Sequence, residues 1–202
     1  KKIPLTTKTR MKIASVSKTF VATAIMQLYE DGLIQLEEDV NIYLPFKVRN
    51  PHYKDESISV KMLLTHTSSI NDDLFHESFL FGYVDYPESI MSFLEGYLTP
   101  EGQYYSKGNF FKKKPGSEYY YSNYGTSLLA CIVENVSGSD FNTYCKQNIF
   151  QPLGMTSTTW LYKETPREEL AVPYFDNNEY DPSKPFFTSP TYPDVGLMTT
   201  IE

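Results

Sequence analysis

The sequence predicts a helix-rich fold in which strands are scarce. Three observations point there. Apolar residues recur at helical spacing in two long segments, at Val16, Phe20, Val21, Ala24, Ile25 and Leu28 and again at Leu128, Leu129, Ile132, Val133 and Val136. Few segments alternate apolar and polar residues as a half-buried strand does. The 202 residues, 41% hydrophobic and 21% charged, suffice for one sizeable core, or for one domain with a subdomain. On these grounds either the protein is mostly helical, or it is α/β with its strands in sequence beyond these residues.

The elements follow in order. Residues 1–13 are polar and β-compatible, the end of a strand and its turn. A helix spans 15–31, with Gly32 as its stop. Leu33 to Leu44 reads as a loop or short extended segment, and Ser59 to Thr65 as a short helix capped by Ser57 or Ser59. Residues 71–85 have no clear period. A further helix starts near Pro87 and takes in Ile90, Met91, Phe93, Leu94 and Leu98. After a loop over 102–116, helices cover Asn123 to Val136, stopped by Ser137-Gly138, and Phe141 to Ile149, stopped by Gln151-Pro152-Leu153-Gly154. Residues 163–193, rich in Pro, Asp, Asn and Tyr, read as a long irregular excursion. There are no internal repeats and no interdomain linker.

Charge and composition exclude several functions. The net charge is −7, and the one basic cluster, Lys112-Lys113-Lys114, is short enough to be a solvated loop. Nothing forms a basic face for nucleic acid or anionic membrane. Cys131 and Cys145 make neither a disulfide framework nor a CxxC metal site, and Cys131 falls in an apolar helical pattern as a buried free thiol does. His52, His66 and His76 lack ligand spacing, so neither a metal nor another cofactor is expected. No signal peptide or transmembrane run is visible. The 17 tyrosines and 13 phenylalanines suit clefts and buried hydroxyl networks.

The chemistry concentrates at Ser15-Val16-Ser17-Lys18. Residues three apart are neighbours on a helix, so the Ser15 hydroxyl can meet the Lys18 amine, as a serine nucleophile with a lysine base requires. The first turn of a helix also offers unpaired N–H groups and a positive dipole end to a developing oxyanion. Alone the pattern is weak, because a serine cap followed by a solvated lysine is common. A second constellation, Pro115-Gly116 followed by Tyr121-Ser122-Asn123, adds to it. Further segments are Leu63-Leu64-Thr65-His66-Thr67-Ser68, Glu134-Asn135-Val136-Ser137-Gly138, Pro152-Leu153-Gly154-Met155 and Gly196-Leu197-Met198-Thr199-Thr200.

In this order, these motifs resemble the serine β-lactamase and penicillin-binding-protein-like family, in particular its class C β-lactamase-related (esterase/D-aminopeptidase-like) branch. The resemblance spans nearly the whole chain. Ser15-x-x-Lys18 and Tyr121-x-Asn123 are each the only match to their pattern. It implies an α/β, β-lactamase/transpeptidase-like fold of which this chain is the helix-rich part. It implies too that Ser15 is the nucleophile and Lys18 its base. Tyr121 is implied as a second proton carrier, and Asn123 as holding Lys18 and the substrate through its side-chain amide. The Ser15 backbone N–H is implied as one oxyanion donor. His66 is then architectural, under the site, rather than a catalytic base. A small-molecule or peptide substrate follows, no cofactor, and an exported (periplasmic or extracellular) location.

The sequence departs from the family pattern in three places. A Lys-Thr-Gly or His-x-Gly strand is absent, and with it a second oxyanion donor and most of the central antiparallel sheet. Residues 1–202 are therefore expected to form a single incomplete catalytic domain, with about 34–185 as a largely helical and irregular subdomain. Ser69-Ile70 stands where the family has Gly-Leu, and Asp194-Val195-Gly196 where it has a run with two glycines. The expected function is a serine hydrolase acting through an acyl-enzyme on an ester, a D-amino-acid peptide or a β-lactam-like amide. The alternative is a catalytically inactive binding or structural relative on the same fold.

Overall fold

A computed structural model describes residues 4–72, 80–81, 84–172 and 187–202 of the chain. His76 and parts of the irregular 71–85 and 163–193 stretches lie outside the described residues. Strand β1 (Met11–Lys12) leads through a single 3-10 turn, Ala14–Ser17, into helix α1 (Lys18–Glu30). The helix predicted from residue 15 thus opens as a tighter turn, and its α-helical part begins at Lys18. It stops where predicted, at Gly32, whose φ of 72° and N–H to the Tyr29 carbonyl turn the chain out.

The next two helices show how side chains set boundaries. Helix α2 (Val60–Leu64) is capped by Ser59, whose hydroxyl accepts the Met62 N–H at 3.2 Å. Strand β2 (Leu80–Phe81) precedes helix α3 (Ile90–Leu98). The start of α3 falls later than Pro87 predicts, because Ser89 accepts the Ser92 N–H at 3.1 Å and closes the first turn itself.

Helix α4 (Asn123–Ser137) is the central post. Every residue from Tyr124 to Val133 is buried, as in a helix enclosed on all sides. Helices α1, α2, α3 and α5 (Phe141–Cys145) all pack against it. Gly138, at φ 69°, ends it. The helix predicted over Phe141–Ile149 divides: after Cys145 the chain widens into a π-type turn, Lys146–Phe150. Cys131 and Cys145 are buried free thiols.

Among the described residues strands are as scarce as the sequence predicts. Strand β3 (Phe187–Thr188) pairs antiparallel with β2, and β4 (Met198–Thr199) with β1, placing Met11 opposite Thr199 and Lys12 opposite Met198. Two-stranded ribbons are marginal alone, so these depend on the helices beside them. The lysine run lies exposed, with Lys113 paired to Glu118 and Lys114 to Glu56. No described helix is long and apolar enough to cross a membrane.

Candidate active site

The turn between β1 and α1 presents one hydroxyl and buries the other. Ala14 adopts a left-handed φ of 47°, uncommon for a residue with a Cβ. Ser17 is fully buried, its hydroxyl donating to the Ala14 carbonyl at 2.6 Å and accepting the Leu197 N–H at 3.1 Å. The Ile13 N–H reaches the Leu197 carbonyl at 3.0 Å. The turn is thereby stitched to the Gly196–Thr200 segment, and Ser15 is left exposed at its crest. Gly196 is required there, since a Cβ would come within 2.8 Å of the Tyr192 carbonyl.

Ser15 Oγ is the meeting point of an amine and a phenol hydroxyl. Lys18, at the start of α1, donates from Nζ to Ser15 Oγ at 3.2 Å and to the Asp194 carbonyl at 2.9 Å. Tyr121 donates its hydroxyl to the same Ser15 Oγ at 2.9 Å, across 106 residues of sequence. Lys18 Nζ also stands 5.0 Å from the Tyr121 ring centroid. Tyr121 is 46% exposed.

The Thr65–Ser69 turn braces the loop that carries Tyr121. The Gly116 N–H donates to the Thr67 carbonyl and the Tyr120 N–H to the His66 carbonyl, both at 2.8 Å. His66 Nδ1 accepts the Ser122 N–H at 3.3 Å, and its ring lies 4.5 Å from that of Tyr121. Burial, then the nearby Lys18 charge, lowers the His66 pKa, which favours the neutral imidazole this acceptor role needs. The His66 carbonyl and imidazole accept from the Tyr120 and Ser122 N–H groups, and among the described residues none of its hydrogen bonds reaches Ser15.

Asn123 is the first residue of α4, and its contact differs from the expectation. Its backbone N–H donates to Asp72 Oδ2 at 2.7 Å. Among the described residues no hydrogen bond joins its side chain to Lys18. Asp72 also bonds the Ser122 side chain and the Tyr124 N–H, and these bonds oppose the burial that raises its pKa. It acts as a second cap on α4, beside Ser122, whose hydroxyl accepts the Gly125 N–H at 2.9 Å.

Asp194 stands behind the amine. It is 2% exposed, its Oδ1 has no hydrogen-bond partner among the described residues, and burial pushes its carboxyl up to about 7. Burial likewise brings the Lys12 amine, on β1, down to about 8. No group of three or more His, Cys, Asp or Glu among the described residues is arranged to hold a metal ion.

A family model described as Beta-lactamase matches residues 1–202. The chain belongs to the Beta-lactamase family. Protein flp of Staphylococcus aureus (strain MRSA252) is 28% identical over 207 residues, covering all of this chain and 38% of that protein. The penicillin binding protein of Bacillus halodurans superposes with a TM-score of 0.72 at 28% identity, covering 98% of this chain and 57% of that one. The D-amino acid amidase of Ochrobactrum anthropi SV3 superposes with a TM-score of 0.73 at 25% identity, covering 98% and 53%. The chain thus spans between about two fifths and three fifths of the length of these relatives.

As a Beta-lactamase family member, a lineage of serine hydrolases on a β-lactamase/transpeptidase-like fold, the chain resolves its own departures differently. Ser69 does hold the left-handed backbone expected of glycine, at φ 66°, and its buried hydroxyl accepts from Asn50 Nδ2 at 2.9 Å. Val195, at φ −145°, needs no glycine at all. Asp72, Ser17 and the side chain of Asp194 escaped sequence reasoning as members of the site. For Asp194 a signal existed, an acid in the Asp194-Val195-Gly196 segment where the family pattern has a run with two glycines. For Asp72 there was none, because its partners are 50 or more residues away.

Proposed function

We propose that this chain carries the nucleophile and the proton carriers of a serine hydrolase acting through a Ser15–Lys18–Tyr121 acyl-enzyme mechanism. The substrate class is an ester, a D-amino-acid peptide or a β-lactam-like amide. The observation that carries the reading is the convergence of Lys18 Nζ and the Tyr121 hydroxyl on one exposed serine oxygen, at 3.2 and 2.9 Å. Both groups are within the reach proton transfer requires.

In the proposed reaction Ser15 Oγ attacks the acyl carbon while its proton passes to Lys18 as the free amine. The Ser15 backbone N–H, at the first turn, faces the developing oxyanion. Collapse breaks the acyl C–N or C–O bond, and the proton leaves by way of the Tyr121 hydroxyl to the departing amine or alcohol. Water then attacks the Ser15 ester, gives its proton back through the same pair, and releases the acid. His66 keeps the Tyr121 ring in place by packing a tilted ring against it and accepting the Ser122 N–H.

Labelling of the complete gene product with a fluorophosphonate and with a fluorescent penicillin tests the reading. Labelling that is lost in Ser15→Ala supports it. Absence of labelling by both probes in folded protein, together with absence of ester and amide turnover, overturns it.

A further inference from the structure

His66 brackets Tyr121. Its carbonyl accepts the Tyr120 N–H at 2.8 Å and its Nδ1 accepts the Ser122 N–H at 3.3 Å, so one residue holds the backbone before and after the phenol. Its ring lies 4.5 Å from the Tyr121 ring, tilted by 38°, and 5.9 Å from that of Tyr119, edge-on. It does this from a left-handed backbone at φ 55°, a conformation that is costly for a residue with a Cβ and persists where the surroundings enforce it.

The chemistry of Nδ1 makes this grip conditional. That nitrogen accepts only while its lone pair is free, so the neutral ring carries its one proton on Nε2. A second proton, taken from solvent, has to go to Nδ1. The nitrogen is then a donor facing the Ser122 N–H, another donor, and the bond is lost. Lys18 faces the ring from α1, Asp72 from the segment after α2, and Tyr119 and Tyr121 from the loop before α4. Burial first, then the Lys18 charge, holds the imidazole below its ordinary 6.5, and Asp72 opposes them. The accepting ring is therefore the form present at neutral pH.

We propose that His66 is a positioning residue for Tyr121: with Nδ1 unprotonated it holds the Tyr121 hydroxyl on Ser15 Oγ, and a proton on Nδ1 releases that hydroxyl and slows acylation. The proposal rests on Tyr121 acting as a proton carrier of Ser15, to whose Oγ its hydroxyl donates at 2.9 Å. The effect runs through the 120–122 backbone rather than through the reacting atoms. Tyr121 is half exposed, so packing alone does not fix its ring, and the backbone on either side of it decides where the hydroxyl stands.

The test is the second-order rate of Ser15 labelling in the complete gene product, with a fluorescent penicillin, or with the fluorophosphonate where only that labels. Two variants separate acceptor from bulk. His66→Phe keeps a ring against Tyr121 but has no acceptor. His66→Asn keeps an acceptor in the place of Nδ1, tolerates the left-handed backbone and cannot titrate. At about pH 8, His66→Asn should label about threefold faster than His66→Phe, or more. The wild-type rate divided by the His66→Asn rate cancels the titration of groups that both proteins keep. As pH falls through the His66 midpoint, read from its imidazole NMR signal, this ratio should drop, by about threefold or more at about one unit below it. An imidazolium acting only through its charge would favour the free amine of Lys18 and drive the ratio up instead. A flat or rising ratio in folded protein overturns the proposal. Equal labelling of the two variants overturns it too, as does a His66 that does not titrate between about pH 4.5 and 8. Should a variant not fold, hydrogen exchange of the Ser122 amide in wild type decides. Its protection should be lost as His66 protonates, and protection that persists overturns the proposal. A wild-type protein that neither probe labels removes the serine-hydrolase reading and this inference with it. Labelling with a flat ratio removes this inference alone.

Discussion

The carboxylate of Asp72 accepts the backbone N–H of Asn123 at 2.7 Å, which ties the segment after the Thr65–Ser69 turn to the first residue of the helix following Tyr121. The N–H groups of a first helical turn have no intrahelical partners, and a buried carboxylate satisfies them while opposing the positive helix end. Asp72→Ala should therefore lower stability by about 1–2 kcal/mol, measured by urea denaturation. Because the same contact holds the loop entering α4, labelling of Ser15 should slow as well. Unchanged stability would show that Ser122 alone suffices as the cap.

Ser17 and Lys18 are adjacent but should fail differently. Ser17→Ala strands the buried Leu197 N–H, a loss of about 1–3 kcal/mol, yet the folded variant should still label at Ser15. Lys18→Ala should reduce labelling about 10²–10⁴-fold with a much smaller change in stability. Comparing denaturation midpoints with labelling rates separates the two, and the reverse pattern would refute the roles given to this pair.

Tyr121→Phe removes the hydroxyl bonded to Ser15 Oγ but keeps the ring against His66. Since the side chain is half exposed, stability should change by less than about 1 kcal/mol. Acylation should fall about 10²-fold or more if the phenol carries the proton. Stopped-flow acylation with a chromogenic ester reads this directly, and a rate within about threefold of wild type would assign the phenol to packing.

Asp194 makes stability depend on pH in a direction opposite to that of a salt-bridged acid. Its carboxyl is raised from the ordinary 3.8 to about 7 in the fold, so the folded chain binds the proton more tightly than the unfolded one. Its contribution is fully present below about pH 4 and is lost as pH rises through about 7. Asp194→Asn should thus stabilise by on the order of a few kcal/mol at pH 8 and by little at pH 4. Urea melts at the two values check this, and equal gains at both would show that the carboxyl does not ionise in the fold.

The parts of the site legible in sequence were those with local geometry. Ser15 and Lys18 sit one turn apart, so their contact follows from spacing; Gly32 and Gly138 stop their helices where local conformation demands. Tyr121 could be reached only through the order of motifs, since 106 residues separate it from Ser15. The structure supplies the reason for that order: His66 and Thr67 hydrogen-bond the 116–122 loop directly. What remained hidden depends on burial and long-range pairing. Pro87 is a good first-turn residue, but a serine two positions on captured the N–H groups, and spacing could not rank the two. The Asn123 side chain was expected on Lys18, whereas Asp72 engages its backbone, a partner that only the tertiary arrangement supplies.

The complete enclosure of α4 from Tyr124 to Val133 has a consequence for how such a protein diversifies. Tyr121 precedes that post by two residues, and Ser15 sits on the turn that opens α1, which packs against its flank. Loops that touch neither this post nor the 116–122 segment are the ones whose reshaping leaves the spacing of Tyr121 and Ser15 unchanged. The Thr65–Ser69 turn and Asp72 are bonded to the Tyr121 loop and the start of α4, so drift there reaches Ser15, whereas drift elsewhere on the surface need not.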